Sequence, residues 1–256
     1  MAPALIELTG VTVRFDSLVA LHDVGFMVPE GRVTALIGPN GAGKTTCFNV
    51  ISGLQRVTVG RVRFGGRDIT HLPPHRRRGI GRTFQIAQVF GDMTVLENVL
   101  VGLHSRLRGG IIAAGLWLPT VRRQERWAVA HVTDLLQRVA LADVAERQAR
   151  TLPLGQQRLL ELARALAGDP QLVLLDEAAS GLSPAETEAL VEQVKRLRGD
   201  RRTVLLVEHN MRFVHRVADH LIVLNYGRVI YEGPVQDGVR HPAVISAYLG
   251  TGLARA

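Results

Sequence analysis

Apolar and polar residues alternate through ALIELTGVTVRF (4–15), the period of a strand with one buried face. VGFMV (24–28) predicts a second strand after it, and PEG (29–31) a turn. VTALI (33–37) is a short apolar run of the kind found in central strands buried on both faces. It leads directly into GPNGAGKTT (38–46), beyond which TCFNVISGL reads as a helix. Short strand signals follow at 60–64, then a proline-containing connection at 71–74. From 92 to 168 the pattern turns helical, in TVLENVLVGLHSRL, RRQERWAVAHVTDLLQRV and QQRLLELARALAG. In the last, Leu159, Leu160, Ala163 and Leu166 share a face, and Gly168 with Pro170 stops the helix. Strand signals return in QLVLLD (171–176), TVLLVE (203–208), HLIVLN (220–225) and RVIYEG (228–233), with helices between. Ser183, Pro184 and Glu186 have the spacing of a capping box with proline at the first helical position. The pattern predicts one α/β domain over 1–256, with a core and β-subdomain from 1–91 and 169–256 and an inserted helical subdomain at 92–168.

Composition narrows the function classes. The chain has 256 residues, 46% of them hydrophobic, enough for one large core. It holds no run of apolar residues long enough to span a bilayer; GGIIAAGLWLP (109–119) is too short and is broken by glycine and proline. MAPALIELTG lacks the charged-then-apolar order of a signal peptide. A lone cysteine, Cys47, excludes an internal disulfide and a cysteine-rich metal site. The net charge of +8 is almost entirely arginine, since lysine occurs only at 44 and 195. The densest cluster, HRRRGIGR (75–82), has no interleaved aromatics to stack bases and reads as a solvated or partner-facing surface.

The chemistry sits in the glycine run. Gly38, Pro39, Asn40, Gly41, Ala42, Gly43, Lys44, Thr45 and Thr46 fit G-x-x-x-x-G-K-[ST] between a strand and a helix. Glycines let the backbone curl until its N–H groups face a polyphosphate, and the helix adds its positive end. Lys44 can then reach the β- and γ-phosphates, and the Thr45 hydroxyl can ligate Mg²⁺. A partner carboxylate is expected at the end of a neighbouring buried strand, and LVLLDE (172–177) supplies Asp176 for the Mg²⁺ shell. Glu177 is placed to polarise a water as general base. Gln85 in RTFQ is a further candidate Mg²⁺ ligand, and His209 after TVLLVE a candidate γ-phosphate contact.

In this order the motifs resemble the nucleotide-binding subunit of an ABC transporter over essentially the full length. The resemblance implies an α/β P-loop NTPase fold with a mixed sheet core, an N-terminal antiparallel β-subdomain and an inserted helical subdomain. It matches Phe15 to the adenine-stacking aromatic, 38–46 to Walker A and Gln85 to the Q-loop. Residues 152–158 correspond to the signature loop, 172–177 to Walker B, 180–183 to the D-loop and His209 to the switch histidine. The helical stretch near 103–127, the ending VISAYLG (244–250) and the x-G-Q-Q-R signature are similar to the ATP-binding proteins of branched-chain amino acid importers. The family implies ATP and Mg²⁺ as ligands, a second ATP-binding subunit, permease subunits and, indirectly, an external solute-binding protein, with no nucleic acid. It implies a peripheral position on the cytoplasmic face of the bacterial inner membrane. Its signature loop serves the partner's ATP, so Gly155 and Gln156 join the site residues. Here that loop reads LPLGQQR: Pro153 offers neither hydroxyl nor N–H, while Leu154, Gly155 and Gln156 keep their backbone N–H groups. The altered loop points to half of a shared site in a heterodimer, with pairing of the chain with itself as the alternative. The alternatives to an amino acid importer are the ATPase of a lipid or lipopolysaccharide export system and, in a different class, a soluble nucleic-acid-associated ABC ATPase. Ala178, Ser183 and Phe15 are further departures from the family pattern.

Overall fold

The computed structural model describes residues 3–104, 106 and 119–249. The segment 109–118, most of the stretch at 103–118 and Gly250 of the C-terminal signature therefore lie outside the described residues. The chain opens with a long hairpin of β1 (Ala4–Phe15) and β2 (Leu18–Pro29). The second strand is longer than VGFMV because it pairs with β1 from Phe15↔Leu18 to Ala4↔Pro29. With β4 (Val59–Phe64) and β5 (Arg67–Asp68) it makes an antiparallel sheet of order β2-β1-β4-β5.

The second sheet has the order β10-β9-β3-β8-β7-β6, from β3 (Val33–Ile37), β6 (Ile80–Arg82), β7 (Leu172–Asp176), β8 (Thr203–Val207), β9 (His220–Asn225) and β10 (Arg228–Pro234). Its neighbours pair in parallel except β10, which is antiparallel to β9. The apolar runs are continuous because each side of a strand meets its own core. Leu36, Leu174, Leu205 and Val207 pack toward the antiparallel sheet and helix α1 (Lys44–Ser52). Ala35, Val173, Leu175, Val204 and Leu206 pack toward α5 (Pro184–Gly199) and α6 (Met211–Val217) on the other face.

A third core lies in the helical region, where α2 (Val95–Gly102) and α3 (Pro119–Arg138) meet α4 (Leu154–Ala167) through Val99, Val132, Leu136, Leu160 and Ala163. Two short helices, α7 (Val235–Gly238) and α8 (Pro242–Leu249), follow β10. Helix α4 belongs to two cores at once, since Leu160 and Ala167 face the helical cluster while Leu162 packs against the sheet. Its buried set also holds Arg158 and Glu161, whereas Leu159 and Leu166 are only partly buried. Capping boxes start α5, at Ser183 and Glu186, and α2, at Thr94 and Glu97. The latter was hidden in TVLE.

The HRRRGIGR cluster departs from the expectation of a solvated surface. Arg77 is buried, and its guanidinium donates to the carbonyls of Val50 and Ile51 at 2.7 and 2.8 Å and to Leu72 and Thr70. It thereby engages carbonyls at the end of α1, where that of Val50 also accepts from the Gly53 N–H. Gly79 to Arg82 forms or adjoins the edge strand β6, which its glycines conceal from a pattern search. Gly81 is required there, because a Cβ would lie 2.5 Å from the carbonyl oxygen of Ala165 on α4. His75, Arg76 and Arg78 are the members that do face solvent.

Candidate nucleotide-binding site

The carboxyl ends of the parallel strands converge on one edge, the place where open α/β sheets bind ligands. The glycine loop leaves β3, Asp176 and Glu177 end β7, Glu208 and His209 follow β8, and Thr83 to Gln85 follow β6. Register makes these ends level: Leu36 and Asp176 are both paired with Val207. Thr83 Oγ1 accepts from the Asp176 N–H at 3.3 Å, tying the β6 exit to the acidic pair.

Backbone sterics dictate the loop's glycines. Gly38 has φ 153°, and a Cβ there would stand 2.1 Å from the Leu224 carbonyl oxygen. Gly43 has φ 100° and abuts the Ala20 carbonyl oxygen and Leu21 Cδ2, each 2.7 Å from an added Cβ. No side chain caps α1 at Gly43, which leaves its first-turn amides directed at the loop. Lys44 is buried, and its Nζ donates to the carbonyls of Gly38 and Pro39 at 2.8 and 2.9 Å. Burial lowers its pKa, while Glu177 and Asp176 pull in the opposite direction. The concave backbone and inward ammonium form an anion cradle.

Facing it, Asp176 is buried and pairs with Arg82 at 3.0 Å. Desolvation pushes its carboxyl pKa up, chiefly against the pull of Arg82. Glu177 has a left-handed φ of 47°. That bend frees its side chain to accept from Gln85 Nε2 at 2.8 Å and to meet His209 Nε2 at 3.0 Å. Thus Lys44, Gln85, Asp176, Glu177 and His209 occupy one cleft. Thr45 opens toward solvent on the first turn of α1. Asp176, Gln85 and Thr45 present hard oxygen donors of the kind Mg²⁺ takes. Among the described residues no group of His, Cys, Asp and Glu could hold a metal unaided. The donor set therefore fits an ion shared with phosphates.

The other predicted residues lie apart. Phe15, 44% exposed, ends β1 at the hairpin whose second strand abuts Gly43 through Ala20 and Leu21. Gly155 and Gln156 lie in the first turn of α4. Gly155 N–H donates to Glu186 Oε1 at 3.1 Å, and Leu154 lies against Gly181. Sequence reading gave Arg158 only as the last residue of LPLGQQR and Arg82 only as the end of HRRRGIGR, and did not single out Glu161 or Glu208. Arg82 ends a strand of three residues, too short for its pattern to be read. Glu208 is buried, accepts from the Ala179 N–H at 2.9 Å, and has its pKa pushed up to about 7 by desolvation.

A glycine loop between a buried parallel strand and a helix, with its lysine facing an acidic strand end, defines a P-loop nucleotide-binding protein. Residues 21–180 match the ABC transporter family, and the chain belongs to it: it is a cassette ATPase coupled to transport. It is 42% identical over 253 residues to the high-affinity branched-chain amino acid transport ATP-binding protein BraF of Pseudomonas aeruginosa, covering 98% of this chain and 99% of that one. It is 38% identical over the same length to the corresponding protein LivG of Escherichia coli, with the same coverage. Among solved structures it resembles an ATP-binding cassette of an ABC transporter in its ADP conformation, with TM-score 0.85 and 32% identity over 97% of this chain and 100% of that one. A nucleotide-free cassette from an ABC transporter gives TM-score 0.84 and 32% identity over 96% of this chain and 99% of that one. The mixed sheet, the antiparallel N-terminal sheet and the helices agree with the expected fold class.

Proposed function

We propose that the chain is the ATP-binding and ATP-hydrolysing subunit of an importer for branched-chain or related amino acids. The observation that carries this is the 42% identity to BraF over nearly the whole of both chains. No helix among the described residues is long and apolar enough to cross a membrane, so the reading seats the chain on permease subunits. Its place is the cytoplasmic face of the inner membrane, below an external solute-binding protein.

In this reading 1–91 and 169–256 form the core and β-subdomain, and 92–168 the helical subdomain. The loop from Gly38 to Thr46 wraps the phosphates of ATP, and Phe15 stacks on the adenine. Lys44 exchanges the carbonyls of Gly38 and Pro39 for phosphate oxygens. Thr45, Gln85 and Asp176 would hold Mg²⁺ directly or through water, and the bound ion would supply charge neutralisation for the phosphates. Glu177 takes the proton of the attacking water, and His209 and Gln85, already bonded to it, orient that carboxylate. Gly155 and Gln156 serve the nucleotide of a second cassette, most simply a different one with an intact signature loop.

The test is uptake of labelled leucine, isoleucine and valine by the native host with the chain deleted. Uptake is expected to fall and to return with the wild-type chain but not with Lys44→Ala. Unchanged uptake of all three overturns the substrate assignment.

A further inference from the structure

The C-terminal helix α8 lies against the strand that delivers the glycine loop. Val244 of α8 is buried and shares a core cluster with Ile37, Leu221 and Val223. Tyr248, the tyrosine of the ending VISAYLG, comes one turn after Val244 and so shares its face of the helix. Its hydroxyl reaches the backbone of Gly38, the residue directly after Ile37, and accepts from the Gly38 N–H.

Gly38 needs that partner. The residue is buried, and among the described residues no backbone carbonyl accepts from its N–H. A buried amide without an acceptor is costly. The Gly38 carbonyl is engaged separately, by Lys44 Nζ at 2.8 Å. A Cβ at Gly38 would lie 2.1 Å from the Leu224 carbonyl oxygen and 3.1 Å from Ala42 Cβ, so the residue is also closely packed. Both polar groups of Gly38 are thus held by side chains, the carbonyl by the loop's own lysine and the N–H by a tyrosine near the end of the chain. A phenylalanine would pack the same face of α8 with no hydroxyl to satisfy, so the hydroxyl is explained by the backbone it meets.

We propose that Tyr248 is a positioning residue for the phosphate loop, and that α8 braces nucleotide binding from outside the cleft. By accepting from the Gly38 N–H, the hydroxyl fixes the first residue of the loop. The curl that aims the following amides and Lys44 at a polyphosphate starts from that residue. When phosphate draws Lys44 away from the Gly38 carbonyl, the hydroxyl is a side-chain hold on Gly38 that remains. The inference rests on the proposed reading of 38–46 as the loop that wraps the phosphates of ATP.

The experiment compares the full wild-type chain with Tyr248→Phe, which keeps the ring on α8 and removes only the hydroxyl. The probes are ATP and inorganic tripolyphosphate, each with Mg²⁺. In the nucleotide-free chain the variant is expected to speed hydrogen exchange at the Gly38 amide about tenfold, because the acceptor is gone. It is expected to weaken both probes by the same factor, about fivefold to tenfold, since the brace acts on the phosphate cradle and not on the base. At saturating ATP, kcat is expected to stay within about twofold of wild type, because Glu177 and its partners are untouched. A residue that only packs the helix would lower the melting temperature and leave both affinities where they were. Unchanged exchange at Gly38, or unchanged affinity for both probes, overturns the brace. A loss confined to ATP also overturns it, by placing Tyr248 at the base. Should Tyr248→Phe fail to fold, exchange at Gly38 in the wild-type chain decides: strong protection supports the contact, and the rate of a free amide overturns it. A wild-type chain that binds neither probe overturns the reading of 38–46 instead, and the exchange measurement still reports on the contact with Tyr248.

Discussion

Arg82 holds Asp176. The guanidinium stands 3.0 Å from the carboxylate, with the side chains 9% and 7% exposed, and also bonds Asn49 and Ser52 of α1. The carboxylate at the end of β7 is thus kept charged by its own chain, on the side where Lys44 closes the cleft. Replacing Arg82 with methionine leaves a buried carboxylate unpaired, and we expect a loss of about 3 kcal/mol at pH 8. The loss shrinks at acidic pH, because desolvation already holds the Asp176 carboxyl above its ordinary range and a protonated acid needs no cation. Adding Asp176→Asn recovers most of it. Urea unfolding of the single and double variants measures each term, and equal losses at pH 8 and at acidic pH refute the assignment.

Lys44 and Glu177 separate binding from chemistry. Lys44→Ala removes the ammonium from the loop and is expected to weaken ATP binding by about a hundredfold or more. Glu177→Gln keeps the shape of the cleft and the bond from Gln85, so it binds ATP as wild type does but turns over at least about a hundredfold more slowly. Titration with a fluorescent nucleotide and phosphate release read the two effects. A normal rate for Glu177→Gln removes it as the base.

Glu208 predicts a pH dependence of stability. Its folded pKa lies at about 7, above the ordinary 4.5, so the folded chain holds a proton that the unfolded chain has lost in that window. Stability is therefore full below about pH 4.5, falls as pH rises to about 7, and flattens above, a loss of about 3 kcal/mol at most from this group. Glu208→Gln keeps the acceptor for the Ala179 N–H and is expected to be more stable than wild type at pH 8 but not at pH 4.5. Melting curves at the two pH values decide it; a gain that is equal at both contradicts the titration.

Pro153 is the N-cap of α4 and offers no side-chain hydrogen bond there. Pro153→Ser supplies a hydroxyl for the first-turn amides, worth about 1 kcal/mol to the helix. If the missing hydroxyl also weakens contact with a partner's phosphate, ATP-driven pairing tightens by about tenfold. The mass in solution of the Glu177→Gln chain with ATP and Mg²⁺, with and without Pro153→Ser, reads this directly. Stabilisation without tighter pairing assigns the limit to Leu154 or the loop backbone.

The glycine loop, the acidic strand end and the order of strands and helices were legible because each is a local pattern. A glycine forced to positive φ, a lysine at fixed spacing and an apolar run buried on both faces leave marks within a few residues. The class of fold, the glycine loop and the candidate side chains around it could all be read from such local marks. Contacts between residues far apart in the chain arise only on folding: Arg82 with Asp176, Arg158 and Glu161 with the Gln85 loop, and Gly155 with Glu186. The same holds for Arg77, which looked like one of a solvated arginine run until the end of α1 was seen to lie against it. Burial of a charge depends on which distant carbonyl or carboxylate waits for it, and that partner is brought near only when the sheets and the helical region pack.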